Sequence, residues 1–450
     1  MKSKKEIDQT LIDELKKEKA ALERENSELK LLISSKRFRL ANKMGNSFNS
    51  LFPVGSRRRS VVKRAAGQIS RINNAKRQRA LKPLLGEIQQ LSHDFNKVMV
   101  VNSIPWDIEL KQRPHHLAVE FSKLGYFVVF LECTNYMHNL RKIDSSLITI
   151  NNSELLEAFK GQNKDVYFMQ LSTIASISVE DILRLEKTMG MKVIYDYIDE
   201  LHEDISGDLY HQRLIWNALP KIKPVLITVT SDVLLEQVRG HYTGSKIVVA
   251  KNAVNIDHFD FKKHKKSLPA KDLKKILINK KPIIGYYGAI APWIDYSMLN
   301  KLAKKRSDLE FVYIGIDYGD ALKNLEMLPN VNYLGSKEYN DLSSYSLFFD
   351  CAIIPFVKGE IAKATSPVKL FEYMAAGVPT VCTRDLRECS GYDYVYMSKN
   401  DAEFESNIDS AVKAHKDVGA REILLKQAKA HTWTQRAKDI DAGLLAKNKN

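Results

Sequence analysis

Between Thr365 and Cys382 the chain reads TSPVKLFEYMAAGVPTVC, a helix with both ends marked and a strand behind it. Ser366 is placed to cap the first turn, and Pro367 suits the first helical position, where no backbone N–H is needed. Gly377 can take the left-handed conformation that ends a helix, and Pro379 blocks continuation. The β-branched run that follows reads as a short buried strand. Few folds accommodate such a unit, because a helix running straight into a buried strand belongs to a layered α/β sheet. The same helix carries chemistry. Its free N–H groups and dipole favour an anion such as a phosphate. Lys369 adds a point charge near that end. Glu372, three residues on and on the same face, is an acceptor-only group suited to the two hydroxyls of a ribose. One helix thus offers places for the diphosphate and the ribose of a nucleotide.

The flanking sequence repeats the α/β pattern. Val98–Asn102 reads as a buried strand, a loop runs over Ser103–Arg113, and Pro114 opens a helix that Gly125 ends. Strand-like runs recur at Tyr126–Glu132, Asp165–Leu171, Lys192–Tyr197, Val225–Thr230 and Lys246–Ala250. A Lys-rich stretch over 260–280 then reads as a linker. The second series comprises Pro282–Gly288, Glu310–Gly315, Val331–Leu334, Cys351–Pro355 and Thr380–Cys382. Strands alternating with helices predict two doubly wound sheets, with ligands at the C-terminal ends of the strands.

SPVKLFEYMAAGVPTV resembles the donor-binding helix of nucleotide-sugar glycosyltransferases of the GT-B fold. The nearest likeness is to the bacterial cell-surface-polysaccharide branch of the "group 1" family. Two further segments carry it: Trp106-Asp107 with Gln112-Arg-Pro-His-His-Leu-Ala118, and Gly288-Ala-Ile-Ala-Pro-Trp-Ile-Asp295. Lys251-Asn-Ala-Val-Asn-Ile-Asp-His-Phe259 partly matches the turn before the interdomain linker, with Ala253 and Asn255 in place of the usual Gly and Asp. The resemblance spans roughly 97–440. It implies that Glu372 holds the donor ribose and that the helix start faces the diphosphate. Many members carry another Glu eight residues before that one, near the donor sugar; this chain has Ala364.

From residues and resemblance together, the expected donor-binding set is Gly288, Ser366, Pro367, Lys369 and Glu372. Catalytic roles fall to His116, Arg113 and Asp199: Arg113 pairing with phosphate or carboxylate, His116 in proton transfer, and Asp199 within an acidic cluster (with Asp196, Glu200 and His202) that contacts acceptor hydroxyls. Donor-sugar or acceptor contacts are expected from Trp106, Asp107, His202, Trp293, Asp295 and Glu360. The resemblance implies retaining, metal-independent transfer. No metal site and no cofactor are expected beyond the nucleotide sugar itself, most simply a UDP-linked one. The chemistry then rests on stabilising the leaving diphosphate. A catalytically inactive GT-B scaffold and a nucleotide-sugar epimerase are the alternatives.

The formal net charge of +15 is concentrated rather than spread. Lys36–Gly86 holds fourteen Lys or Arg and no Asp or Glu, interleaved with Phe38, Phe48, Leu51 and Phe52. Cations among aromatics suit an anionic membrane surface, and each basic residue there adds about 1 kcal/mol. No recognised nucleic-acid-binding module is visible in the segment, and no nucleic-acid partner is expected. Ahead of it, Ile12, Lys19, Asn26 and Ile33 alternate with Leu15, Leu22 and Leu29 in heptads, predicting a homodimeric or partner coiled coil over 4–35. Four cysteines lack metal-like spacing. The sequence opens without an apolar signal core and contains no 18-residue apolar run.

The expected organisation is therefore a coiled-coil helix over 1–35 and a basic segment over 36–92. A first, acceptor-side Rossmann-like domain over 93–260 and a second, donor-side one over 281–430 then face a cleft. A helix over 431–450 crosses back. The expected partners are a nucleotide sugar, a glycan or lipid-linked acceptor, and the inner face of a membrane met from the cytoplasm.

Overall fold

The computed structural model describes residues 79–108, 111–132, 139–264 and 267–446. The heptad segment 4–35, most of the basic segment and Cys133 lie outside the described residues. Everything below belongs to the compact unit from Leu81 to Asn450.

Two sheets form that unit. The first contains β1 (Lys97–Asn102), β2 (Phe127–Leu131), β3 (Leu140–Lys142), β4 (Leu147–Ile150), β5 (Asp165–Leu171), β6 (Lys192–Tyr197), β7 (Leu226–Val229) and β8 (Lys246–Val249). Their spatial order is β3-β4-β2-β1-β5-β6-β7-β8. All pairs are parallel except β3 with β4. The second sheet contains β9 (Ile283–Tyr287), β10 (Glu310–Ile314), β11 (Val331–Tyr333), β12 (Cys351–Ile354), β13 (Thr380–Thr383) and β14 (Val395–Ser398). It runs β11-β10-β9-β12-β13-β14, parallel throughout. Both are doubly wound, as the alternating pattern predicts. Central strands such as KVMVVN and FVVFL lack polar alternation because helices cover both faces of a parallel sheet.

In each sheet the winding reverses at one point, between β1 and β5 in the first and between β9 and β12 in the second. Crevices for ligands open beyond the strand ends at such points. In the second sheet these ends are Tyr287–Gly288 and Pro355–Phe356. The helix Val368–Ala375 follows β12 after the short helix Glu360–Ala364.

Both chain ends of the unit return to the first lobe. Residues 79–91 are helical, with Leu81 and Ile88 buried among the first-lobe apolar residues. The first lobe thus begins before residue 93, inside the stretch read as basic segment. At the other end, the helix Trp433–Leu445 buries Trp433, Ala437 and Ile440 against Met99, Val101 and Leu117. Its Thr434 donates to Glu120 at 2.7 Å, and Lys97 pairs with its Asp441 at 3.2 Å. Cys351, Cys382 and Cys389 are buried free thiols. Among the described residues no helix is long and apolar enough to cross a membrane.

Candidate functional site

The helix Val368–Ala375 begins differently from expectation. Pro367 is the capping residue, not the first helical one, and no side chain caps the turn. Ser366 is turned away: its hydroxyl accepts the Asn252 N–H at 3.2 Å, and its carbonyl accepts the Asn252 side-chain amide at 2.7 Å. Ser366 is buried, so its polar atoms are matched within the protein. This leaves the amides of the first turn without a side-chain partner. At the other end Gly377 takes φ +69°, and Val378 N–H donates back to Tyr373 O at 2.9 Å, closing a Schellman turn.

Lys369 and Glu372 project into the seam beside the end of β9. The Lys369 ammonium lies 3.3 Å from the Tyr286 hydroxyl and 4.7 Å and 5.2 Å from the ring centres of Tyr286 and Phe356. Gly288 adjoins it: a Cβ there would sit 2.8 Å from Lys369 Nζ. Gly288 has φ +133°, a conformation that favours glycine. The residues at the two strand ends and the helix start therefore surround one cation. Burial pulls the Lys369 pKa down to about 8, against the pull of Glu372. Glu372 is 4% exposed. Burial pushes its pKa up to about 7, while the Tyr287 hydroxyl and Lys369 act the other way. Two ionisable groups with opposed charges are thus held near their switching points, as at many functional sites.

Three tyrosines complete this wall, and the sequence motifs do not name them. Tyr286 and Tyr287 end β9, and Tyr339 lies beyond β11. The Tyr287 amide donates to the Tyr373 hydroxyl at 2.9 Å, fixing its backbone. The Tyr287 hydroxyl bonds the Glu372 carboxylate, whereas the Tyr339 hydroxyl is buried and has no hydrogen-bond partner. Position at a strand end was a signal for the first two; nothing local marks Tyr339.

On the first lobe, Arg113 is not free to meet a phosphate. Its guanidinium grips Asp196 with two hydrogen bonds of 2.9 and 3.0 Å and donates to Ala250 O at 2.8 Å. It is 3% exposed. Arg113 therefore joins β6 to the turn leading out of the lobe, and through Asn252 to Ser366. Replacing Arg113 by Ala is expected to destabilise the protein by about 3–5 kcal/mol, because Asp196 is left buried and unpaired. Urea denaturation checks this. Asp199 lies near that pair, half-buried, and burial raises its pKa to about 7 although Arg113 opposes it.

His116 stacks on Trp433 at 4.9 Å and 6° and touches Tyr339 at 5.2 Å, so it spans the two lobes. Burial drives its pKa to about 3. It stays a neutral imidazole at physiological pH, which removes the imidazolium from the expected proton transfer. Its Nε2 is buried without a partner. His115 bonds Pro105 O at 3.0 Å and receives the Gln112 amide at 3.2 Å, a structural role.

The remaining expected contact residues scatter. Trp106 packs on Phe130 and His115, and its amide donates to Glu132 at 2.8 Å. Asp107 is exposed and ion-paired with Arg141. His202 caps the short helix Glu203–Ser206 by accepting Asp204 N–H, and Asp295 caps Tyr296–Lys305 by accepting Met298 N–H at 3.0 Å. Those two side chains serve helix starts, a use of Asp and His that competes with ligand contact. Trp293 packs against Phe356 and Tyr318, near the crevice. Glu360 points to solvent and pairs with Lys363 at 2.7 Å, so it does not stand in for the carboxylate absent at 364. Ala364 itself is fully buried against first-lobe apolar residues, where a carboxylate would lose its hydration.

Comparison with known proteins agrees with this geometry. Residues 281–413, which carry the second sheet and the Lys369–Glu372 helix, match the family described as glycosyl transferases group 1. A Bacillus subtilis protein, TuaH, named for a glycosyltransferase role in teichuronic acid biosynthesis, is 26% identical over 259 residues. That alignment takes in 54% of this chain and spans 64% of the relative's length. Among solved structures, sucrose-phosphate synthase from Thermosynechococcus elongatus superposes with a TM-score of 0.59 at 11% identity, covering 77% of this chain and 97% of that one. Anabaena HepE in complex with UDP and glucose superposes at 0.56 and 11%, covering 78% and 99%. At such identities the likeness establishes the architecture, two Rossmann-like lobes in the GT-B arrangement. The match to the group 1 glycosyltransferases thus covers residues 281–413, including the helix that holds Lys369 and Glu372, and the chain has the GT-B fold.

Proposed function

We propose that this protein transfers a sugar from a nucleoside-diphosphate sugar to a cell-surface glycan or its lipid-linked precursor. The observation that carries the reading is the convergence of Lys369, Glu372, Gly288 and the uncapped first turn of Val368–Ala375 at the switch point of the second sheet. Amides and a cation meet the diphosphate, and the carboxylate meets ribose hydroxyls. As the glycosidic bond to the donor sugar breaks, negative charge grows on the leaving phosphate, and fixed donors there stabilise it. Asp199 and His116, on the opposite lobe, are the residues this reading assigns to the acceptor. Asp199, with its raised pKa, is suited to take a proton from an acceptor hydroxyl. His116 is suited to donate or accept a hydrogen bond as a neutral ring. UDP is the favoured leaving group, supported by the HepE complex, and the glycan acceptor is supported by the name of the Bacillus relative.

Thermal shift against UDP, GDP and ADP, followed by nucleotide release with and without glycan acceptor, tests the reading. A bound nucleotide at a hundred times its Kd stabilises the fold by about 2.7 kcal/mol. Release of nucleotide only when acceptor is present supports transfer. Interconversion of the donor sugar without acceptor would establish the epimerase, and absence of any nucleotide binding the scaffold.

The same reading places the basic segment at an anionic membrane surface, where a lipid-linked acceptor would lie, and the heptads in a dimer. Because Leu81 and Ile88 belong to the folded core, the cut that tests this falls before residue 79. Removing residues 1–78 is expected to leave nucleotide binding intact and to abolish sedimentation with anionic vesicles. The full chain should lose its vesicle binding as salt rises, since screening acts over about 8–10 Å. Equal sedimentation of both forms would exclude the membrane role, and tighter binding to DNA at matched salt would favour nucleic acid.

A further inference from the structure

We propose that the first lobe carries a separate saccharide-binding site, a cavity between the helices Tyr210–Asn217 and Asp232–His241 that holds a distal sugar residue of the acceptor glycan. The inference rests on the glycan-acceptor reading above and goes beyond it. The cavity has a volume of about 480 Å³, within the range of small-molecule sites. Tyr197, at the end of β6, and Trp216 form its apolar side. Their rings lie 4.8 Å apart, and His241 stacks on Trp216 at 4.3 Å and 14°, which holds the indole in place. Glu200, Gln237, Arg213 and Asn217 supply the polar side. The Tyr197 hydroxyl donates to Gln237 Oε1 at 2.7 Å, and Gln237 Nε2 donates to Glu200 Oε2 at 2.5 Å. That chain fixes the carboxylate and leaves it further acceptor capacity. Arg213 and Asn217 are exposed, and Arg213 forms no ion pair among the described residues.

A pyranose presents the matching chemistry, with C–H groups on its faces and adjacent hydroxyls around its rim. A fixed carboxylate accepts from such hydroxyls, and a guanidinium and an amide donate to them. The carboxylate beside the guanidinium disfavours a phosphate as occupant. Gly240, in the last turn of Asp232–His241, also lines the cavity and brings no side chain into it. A Cβ built there meets nothing within 4 Å, and its φ is not positive, so neither packing nor backbone conformation demands glycine. The position keeps the space open. The far end of the same helix marks the distance from the second lobe, because the Asp232 N–H donates to Glu388 at 3.0 Å. At roughly 1.5 Å of rise per residue, His241 lies about 13 Å further along the helix axis. Tyr197 and Trp216 belong to the apolar set on the sheet face opposite the helix Trp433–Leu445. The cavity therefore lies apart from the crevice beside Lys369 and Glu372, and its occupant is not the reacting sugar.

The test titrates the full chain by calorimetry with cellotriose, chitotriose and trigalacturonic acid, and separately with UDP, with melting curves as a fold control. At least one trisaccharide should bind with a millimolar or lower Kd. Gly240→Leu fills the cavity at a helical position where leucine is preferred to glycine. It should melt at the same temperature or higher and weaken that binding by roughly tenfold or more. Arg213→Ala should weaken it roughly three- to tenfold, the worth of one hydrogen bond. Both variants should bind UDP as the unmodified protein does. Binding of none of the three trisaccharides, or binding that both variants leave unchanged, would overturn the proposal while leaving the transferase reading standing. Saccharide binding that the variants weaken, in a protein that binds no nucleotide, would keep this site and remove the transferase reading.

Discussion

Lys369→Ala is expected to lower kcat by roughly a hundred- to a thousandfold, the usual cost of removing one preorganised group that meets charge developing in a transition state. The fold should not suffer. Burial already draws the Lys369 pKa down to about 8, so the protein carries this cation at a cost. The melting temperature should therefore hold or rise slightly near pH 7, while turnover collapses. Lys369→Arg should recover little. A planar fork fits poorly into a space bounded by Tyr286, Phe356 and the backbone of Gly288. A variant with unchanged kcat/KM would reduce Lys369 to a packing residue.

Glu372→Gln is expected to weaken nucleotide binding by about 1.5–3 kcal/mol, or roughly ten- to a hundredfold, and to make the unliganded protein more stable. The sign follows from linkage. The Glu372 pKa is about 7 in the folded chain, above the roughly 4.3 of an unfolded one. The group therefore favours the fold fully below about pH 4, and that contribution is lost as pH rises through 7. Near pH 8 the carboxylate is charged and buried, and replacing it by the neutral amide should gain on the order of 1–3 kcal/mol. Lys369 runs the other way: its penalty is greatest below about pH 8 and is relieved as pH rises towards its unfolded pKa near 10. For donor binding the two combine. kcat/KM should rise as Glu372 ionises near pH 7 and fall as Lys369 deprotonates near pH 8, and the two apparent values belong to the pair. Calorimetry at pH 6 and pH 8, with and without nucleotide, separates the effects: equal stability of Glu372→Gln and the unmodified protein at pH 8 would show that Glu372 carries no buried charge.

Much of the architecture was legible along the chain. Val98–Asn102, Asp165–Leu171, Ile283–Tyr287 and Thr380–Cys382 read as buried strands because a parallel sheet covered on both faces needs apolar residues at every position. Lys369 and Glu372 were legible as a pair because helical spacing is local, and Gly377 because a left-handed turn is local. β3, β4 and β14 were not: they are short, and β3 and β14 lie at sheet edges. Side-chain roles were legible only where the partner was near in sequence. Arg113 carried the right chemistry for a phosphate, but its partner Asp196 comes from a distant strand. Asp295 and His202 carried ligand-like groups that their own helix starts consume. Ser366 looked like a cap until Asn252, on the turn leaving the first lobe, claimed its hydroxyl. Hydrophobic period and turn chemistry are short-range and set the two sheets and the nucleotide-facing helix. Which charges are already paired, and which buried hydroxyls still lack a partner, depends on contacts between residues far apart in the chain, and only the tertiary structure decides them.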